Sequence, residues 1–271
     1  MEKLHHELWI VKIVNAIFGP VVAALLRPLG YEFAPGQAVI PDHLVMCALV
    51  VVVLAVIGLV LRSQLSVDSP SRLQIVLEDV VGFFVNLLKS NIGETGPRYL
   101  PLVATMGLFI FTANLFGKVP GLMSPTANIN VPLGCALTVW VYYQFQGIRV
   151  QGIIGHLKHF ALPPGAPVFS APIMFPIEVI SHLSRVMSLT IRLFGNVFGE
   201  EMVVLILGSL IPFIVPLPMM VLGLLTGSLQ AFIFVMLTTI YLAGVVHVEH
   251  EKHGHDEAHG GPHQAHAHAA A

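Results

Sequence analysis

One arginine, Arg192, lies in the middle of a long apolar stretch, and residues at helical spacing around it are polar or ionisable. The stretch is FPIEVISHLSRVMSLTIRLFGNVFGEEMVV, residues 175–204. Successive residues of a helix turn by about 100°, so polar positions can be placed on a helical wheel. The positions within about 80° of Arg192 are Glu178, His182, Arg185, Ser188, Asn196 and Glu200. These groups form one polar stripe on an otherwise apolar helix, whereas Glu201 points toward whatever helix packs behind.

The depth of Arg192 in this helix indicates function rather than surface anchoring. Arg185 could snorkel to one membrane surface, and Glu200 and Glu201 could reach the other if the span ends there. Arg192 is about 20 Å from Glu178 and about 12 Å from Glu200 along the axis. An arginine at bilayer depth costs roughly 2.5–3.5 kcal/mol on insertion scales, so it needs a partner or an aqueous path.

A second polar stripe lies on the last long apolar segment. Gln230 and Tyr241 are eleven residues apart, about three turns, and share a face with Phe234. Gly223, two turns before Gln230, leaves room for a bulky neighbour such as Glu200. This helix is expected to pack against the Arg192 helix.

The composition indicates a membrane protein with no catalytic centre of its own. Of the 271 residues, 55% are hydrophobic and only 10% are charged, against about 25% charged in soluble domains. The net charge of −2 gives no reason to expect nucleic acid as a partner. No phosphate loop, nucleophile arrangement or zinc motif is present, no cofactor or metal site is expected, and the two cysteines match no metal or disulfide pattern.

The elements that position these stripes are predicted from apolar runs and polar breaks. Residues 8–26 favour an interfacial amphipathic helix over a spanning one. Spans are predicted at 43–61, 100–116 and 131–146, with an amphipathic helix at 71–90 on the membrane face. Trp140, Tyr142 and Tyr143 suit an interfacial aromatic belt. Loops are predicted at 118–130 and 147–172.

Two long helices, at about 175–210 and 218–246, form a tilted hairpin joined by a proline-containing turn. The fold class is therefore an all-α membrane protein with five transmembrane helices plus the amphipathic helix. Lysine and arginine placement puts the N-terminus outside and the C-terminus in the cytoplasm. Three regions follow: an N-terminal segment at 1–42, a transmembrane domain at 43–250, and a histidine-rich tail at 251–271, predicted to be disordered.

Three blocks resemble subunit a of bacterial F-type ATP synthases: SLTIRLFGN at 188–196, LQAFIFVMLTTIYLAG at 229–244 and PTANINV at 125–131. The resemblance runs from about His43 to His250. It implies a stator subunit in the cell inner membrane, assembled with a ring of subunit c, the peripheral stalk subunit b and other ATP synthase subunits. By position, Arg192 is the essential arginine that faces the ring.

The resemblance also implies two offset half-channels for protons. Asn196, Glu201 and Gln230 match residues of the outer path, and Glu178 and Ser181 match positions near the inner path. Many relatives carry glycine at the position of Glu200 and histidine at that of Gly223, so a bulky polar group has exchanged helices here. We assign Asn196, Glu200, Glu201 and Gln230 to the outer path, Glu178, Ser181 and His182 to the inner path, and Arg185, Ser188 and Tyr241 to the remaining polar face.

Two other classes of function stay open from the sequence. A stand-alone ion channel or secondary transporter is the main alternative, although no inverted repeat is detectable. A metal transporter is suggested by the eight histidines between His247 and His268. The membrane segments lack paired ligand sets for a metal, which disfavours that class.

Overall fold

A computed structural model describes residues 9–26, 28, 39–66, 70–119, 122–161, 171–210 and 216–259. Within these ranges the chain is helical and has no strand, which confirms the predicted all-α class. The long helices are α1 (Trp9–Leu26), α2 (Asp42–Gln64), α3 (Arg72–Ile92), α4 (Leu100–Phe116), α5 (Asn130–Ala161), α6 (Ala171–Leu210) and α7 (Pro216–His259). Two short 3-10 helices occupy Gly96–Tyr99 and Pro125–Ala127.

Local sequence signals explain both ends of α3. The Ser71 side chain accepts a hydrogen bond from the Gln74 backbone N–H at 3.2 Å, which satisfies one of the free donors of the first turn. At the other end, Gly93 has φ 92°, a left-handed conformation that favours glycine. Its N–H donates to the Lys89 carbonyl, so the helix stops and the chain turns toward α4.

Helix α5 is longer than predicted. The loop prediction at 147–172 was wrong for residues 147–161, which continue the helix to Ala161. A single break occurs at Gly152, with φ 73° and ψ 163°. Glycine adopts this conformation without steric cost, so the chain bends there and then resumes helical structure. Residues 162–170 lie outside the described ranges.

The last two helices extend beyond their predicted limits. Helix α6 begins at Ala171, four residues earlier than expected, and has 40 residues, or about 60 Å of length. Helix α7 continues through His259, past the expected boundary at 250. An existing helix extends more easily than a new one nucleates, which accounts for this continuation into the polar tail. Residues 211–215 of the predicted turn and 260–271 of the tail are not described.

Three described helical segments are long and apolar enough to cross a membrane, by length and composition: Asp42–Ser63, Gly96–Phe116 and Leu217–Gly244. They correspond to α2, α4 and α7. The α2 surface is largely apolar and exposed; Val51, Val56 and Leu59 are 51–66% exposed. Contiguous apolar surface of this kind is rare on soluble monomers and suits contact with lipid. The count of five spans stays a prediction.

The core is centred on α7, against which α3, α4, α5 and α6 all pack. Phe234, Leu193 and Ile110 are fully buried at this centre. Helix α1 contacts α2 through a separate small cluster that includes Val11 and Met46. The core therefore holds α6 and α7, the two helices with polar stripes, side by side.

Candidate functional site

Helices α6 and α7 run antiparallel, and their polar stripes face each other. The Asn196 side-chain amide donates to Gln230 Oε1 at 2.8 Å. One turn further along α6, the Glu200 carboxylate lies directly over Gly223, where any side chain would collide with it. The structure therefore brings together Glu200 and Gly223, as the sequence predicted. The pairing of Asn196 with Gln230 was not anticipated.

A lysine that the sequence analysis used only for orientation also joins this group. Lys118 follows the end of α4, and its ammonium forms an ion pair with Glu200. Both side chains are only 15% exposed. Glu201 points away from Gly223, as expected, and its carboxylate accepts a hydrogen bond from the Ser124 backbone. We call the set Lys118, Asn196, Glu200, Glu201 and Gln230 the Glu200 cluster.

The loop between α4 and α5 is fixed to this cluster by buried hydrogen bonds. Asn114 Nδ2 donates to the Gly227 carbonyl at 3.0 Å, and Thr126 Oγ1 donates to Asn114 Oδ1 at 2.8 Å. Ser124 Oγ donates to the Ala113 carbonyl at 3.0 Å. Sequence reasoning assigned no role to these residues, although two of them lie in or beside the PTANINV block. The loop thereby places the Ser124 backbone beside Glu201.

A second group of polar residues lies near the start of α6. Tyr143 Oη and His182 Nδ1 are 2.7 Å apart, and His182 Nε2 is 3.3 Å from Glu178 Oε1. The Arg185 guanidinium carbon lies 5.2 Å from the centre of the Tyr241 ring, a cation–π contact. We call Tyr143, Glu178, His182, Arg185 and Tyr241 the Glu178 cluster.

Tyr143 corrects one sequence prediction. As a member of an interfacial aromatic belt it would be exposed, but it is only 2% exposed and hydrogen-bonded to His182. The period of α5 turns it inward, toward α6 and α7, whereas Trp140 and Tyr142 are half-buried. Ser181 and Ser188 lie on the same stretch of α6, and neither side chain makes a hydrogen bond to another described residue.

Arg192 lies between the two clusters and belongs to neither. Its side chain is exposed, and within the described part of the chain it makes no hydrogen bond or ion pair. The outer faces of the same two helices also carry exposed apolar residues; Met187 and Ile191 on α6 are 50% and 55% exposed, and Leu229 on α7 is 50% exposed. The guanidinium is therefore presented on the outer surface of two largely apolar helices.

Behind Arg192, the interior is apolar. Phe234 and Leu193 are 0% exposed and Leu189 is 3% exposed, and all three belong to the central core. We call these residues the apolar layer. Phe234 is one turn from Gln230 on one side and two turns from Tyr241 on the other. The layer thus separates the Glu200 cluster from the Glu178 cluster inside the chain.

The buried hydroxyls near the apolar layer do not bridge it, because each already donates to its own helix. Thr190 and Thr238 donate to the carbonyls four residues earlier at 2.8 Å. Gln230 Nε2 is buried and has no hydrogen-bond partner among the described residues. Among those residues there is also no group of three or more potential metal ligands. The arrangement suits proton transfer at two separate places, with a fixed cation between them.

Comparison with known proteins shows the family of this chain. Residues 44–243 match the family described as ATP synthase A chain. The chain is 46% identical over 226 residues to ATP synthase subunit a of Citrifermentans bemidjiense, covering 83% of this chain and 94% of that protein. It is 44% identical to the Sulfurihydrogenibium sp. protein of the same name (77% and 99% covered), and 38% identical to that of Koribacter versatilis (93% and 99%).

Proposed function

Because this chain belongs to the ATP synthase A chain family, and is therefore a bacterial membrane subunit that works with other ATP synthase subunits, we propose that it is the stator that moves protons through two half-channels. In this proposal Arg192 faces a ring of subunit c. The partners are that ring, the peripheral stalk subunit b and the lipid bilayer. The N-terminus lies outside and the C-terminus in the cytoplasm.

The observation that carries the proposal is the unpaired guanidinium of Arg192 on an apolar surface. A cation in contact with hydrocarbon is costly unless an opposite charge is supplied. Among the described residues, this chain supplies none. A carboxylate on another chain, brought against this face, would neutralise Arg192.

The two clusters serve as the two half-channels. On the outer side, the Glu200–Glu201 pair and Asn196, which contacts Gln230, lie on successive turns of α6 that lead toward Arg192. On the inner side, His182 links Glu178 to Tyr143 through contacts of 3.3 and 2.7 Å. A chain of such groups can pass protons by exchanging hydrogen bonds.

The apolar layer makes the coupling obligatory. Among the residues that the structure describes, Phe234 and Leu193 leave no polar route between the clusters, so we expect no proton to cross within this chain. It must instead bind a ring carboxyl, travel through lipid in the neutral form, and leave on the other side. An arginine guanidinium offers only donors and carries a permanent positive charge, so Arg192 would hold the ionised carboxylate without donating a proton to it. Each proton that crosses the membrane down its potential releases about 2.3 kcal/mol per 100 mV.

The experiment that tests the proposal is Arg192→Ala in the assembled ATP synthase, in inverted membrane vesicles. We expect ATP-driven proton pumping to be abolished while the subunits still assemble, because the side chain is exposed and makes no hydrogen bond or ion pair with a described residue. Arg62→Ala, at the exposed end of α2, is the matched control and should pump normally. Normal pumping by the Arg192→Ala enzyme would refute the proposal.

The alternative function is a stand-alone ion channel or secondary transporter. The purified chain in liposomes, without its partner subunits, should then conduct protons under a potassium diffusion potential. Under our proposal the conductance stays at the level of empty liposomes, since the apolar layer blocks direct passage.

A further inference from the structure

The ion pair between Lys118 and Glu200 is not explained by the half-channel scheme. It joins the end of α4 to α6, 82 residues apart in the sequence, and lies at a site where both side chains are 15% exposed. The other described lysine–carboxylate pair, Lys89 with Glu94, is a local contact with side chains 45% and 90% exposed. Because this site is partly buried, removing one partner of the Lys118–Glu200 pair should destabilise the protein more than removing one partner of the exposed Lys89–Glu94 pair.

We propose that Lys118 is a positioning residue that holds Glu200 as a fixed ion pair, so that Glu201 is the carboxyl that exchanges protons in the outer half-channel. This inference rests on the function proposed above and divides the work of the two adjacent glutamates. A carboxylate that contacts an ammonium gives up part of a strong charge-assisted hydrogen bond when it is protonated. Glu200 is in this position, and it lies over Gly223, whose lack of a side chain makes room for it.

Glu201 differs from Glu200 in both its contacts and its direction. Within the described residues no lysine, arginine or histidine nitrogen lies within 4.0 Å of its carboxylate, although Lys118 and Glu200 are its charged neighbours. Its carboxylate accepts a hydrogen bond from the Ser124 backbone. A carboxylate held by a neutral donor has no ion pair to give up when it binds a proton.

Two glycines bring the three charged groups together. At Gly117 an added Cβ would lie 2.8 Å from Ser124 Cβ and 3.5 Å from Glu201 Oε1, so the loop rests directly on this residue. On the α7 side, Gly223 likewise has no side chain, and the Glu200 carboxylate occupies the space where one would lie. Lys118 follows Gly117 immediately and lines a cleft between α4 and α7 together with Asn114 and Gly227.

The test compares single and double variants of the assembled enzyme in inverted vesicles, with ATP-driven proton pumping as the readout. Lys118→Met and Glu200→Gln should each lower the initial rate by roughly fivefold or more, because each leaves one partly buried charge without its partner. The double variant Lys118→Met/Glu200→Gln should recover most of the lost rate, since it removes both charges and keeps the shape. Lys89→Met is the matched control and should be unaffected.

A double variant as slow as Glu200→Gln would overturn the inference, because Glu200 would then carry protons itself. Normal pumping by Lys118→Met alone would overturn it as well. Subunit content and ATP hydrolysis in the same membranes show whether each variant has assembled. Arg192→Ala in parallel separates the two levels: if it pumps, the proposed function fails, whereas if it does not and the double variant is not rescued, only the assignment of Lys118 fails.

Discussion

Replacing Phe234 by alanine should open a leak between the two half-channels. The ring is 0% exposed and lies between Gln230 and Thr238, each one turn away along α7. Removing it empties roughly 100 Å³, the volume of about three waters at ~30 Å³ each. Gln230 and Thr238 are separated by about 12 Å along the axis, a distance that three hydrogen-bonded waters can span.

The cavity should hydrate because its ends are polar. Gln230 Nε2 is buried and has no partner among the described residues, and the Thr238 hydroxyl still has lone pairs to accept a hydrogen bond. An entirely apolar cavity of this size would stay dry. The substitution also removes core packing, at about 3–5 kcal/mol. Assembly must therefore be checked by subunit content before proton flux is compared.

The assay is passive proton uptake into proteoliposomes that contain the assembled complex, driven by a potassium diffusion potential. We expect uptake to rise several-fold above the parent and to persist after a carbodiimide has blocked the ring carboxyls, because the leak bypasses the ring. Phe234→Leu, which keeps the layer apolar, should not leak. Phe232→Ala on the partly exposed face of α7 is the second control. An assembled Phe234→Ala complex without a leak would refute the role of the apolar layer.

Three further tests, using four substitutions, address individual contacts. Glu201→Gln should slow ATP-driven pumping severalfold, and an unchanged rate would remove this carboxyl from the outer path. Glu200→Gly alone should impair pumping. Adding Gly223→His should partly restore the rate, because the new side chain refills the space that Glu200 occupied. No recovery in the double variant would contradict the idea that positions 200 and 223 share one bulky polar group. Tyr143→Phe removes the 2.7 Å contact with His182 and should slow proton release. Losing ~0.5–1.5 kcal/mol of hydrogen bonding corresponds to a roughly two- to tenfold lower rate. The rate is measured as ATP synthesis under an imposed proton gradient. Synthesis at the parent rate would exclude Tyr143 from the inner path.

The sequence alone was sufficient for the helices and for the polar stripes, because both depend on local periodicity. The predicted spans at 43–61 and 100–116 lie within or coincide with α2 and α4, and the positions of Arg192, Glu200 and Gln230 on their helices follow from 3.6 residues per turn. Errors occurred where helices end. A loop was predicted from residue 147, where polar residues follow the third apolar run, whereas α5 continues through a kink at Gly152 to Ala161.

The tertiary structure determined which residues of the two polar stripes lie opposite each other, and at which positions along the helix axes. From the sequence, Lys118 was only a positive residue in a loop and Tyr143 a member of an interfacial aromatic belt. Packing places Lys118 beside Glu200 and Tyr143 beside His182. Likewise, Phe234 separates the two clusters only because of the register of α6 against α7. That register is set by close packing at glycines and large apolar side chains, and no local sequence pattern determines it. Helical periodicity determines the face on which a residue lies, but only the packing of distant segments determines its partner.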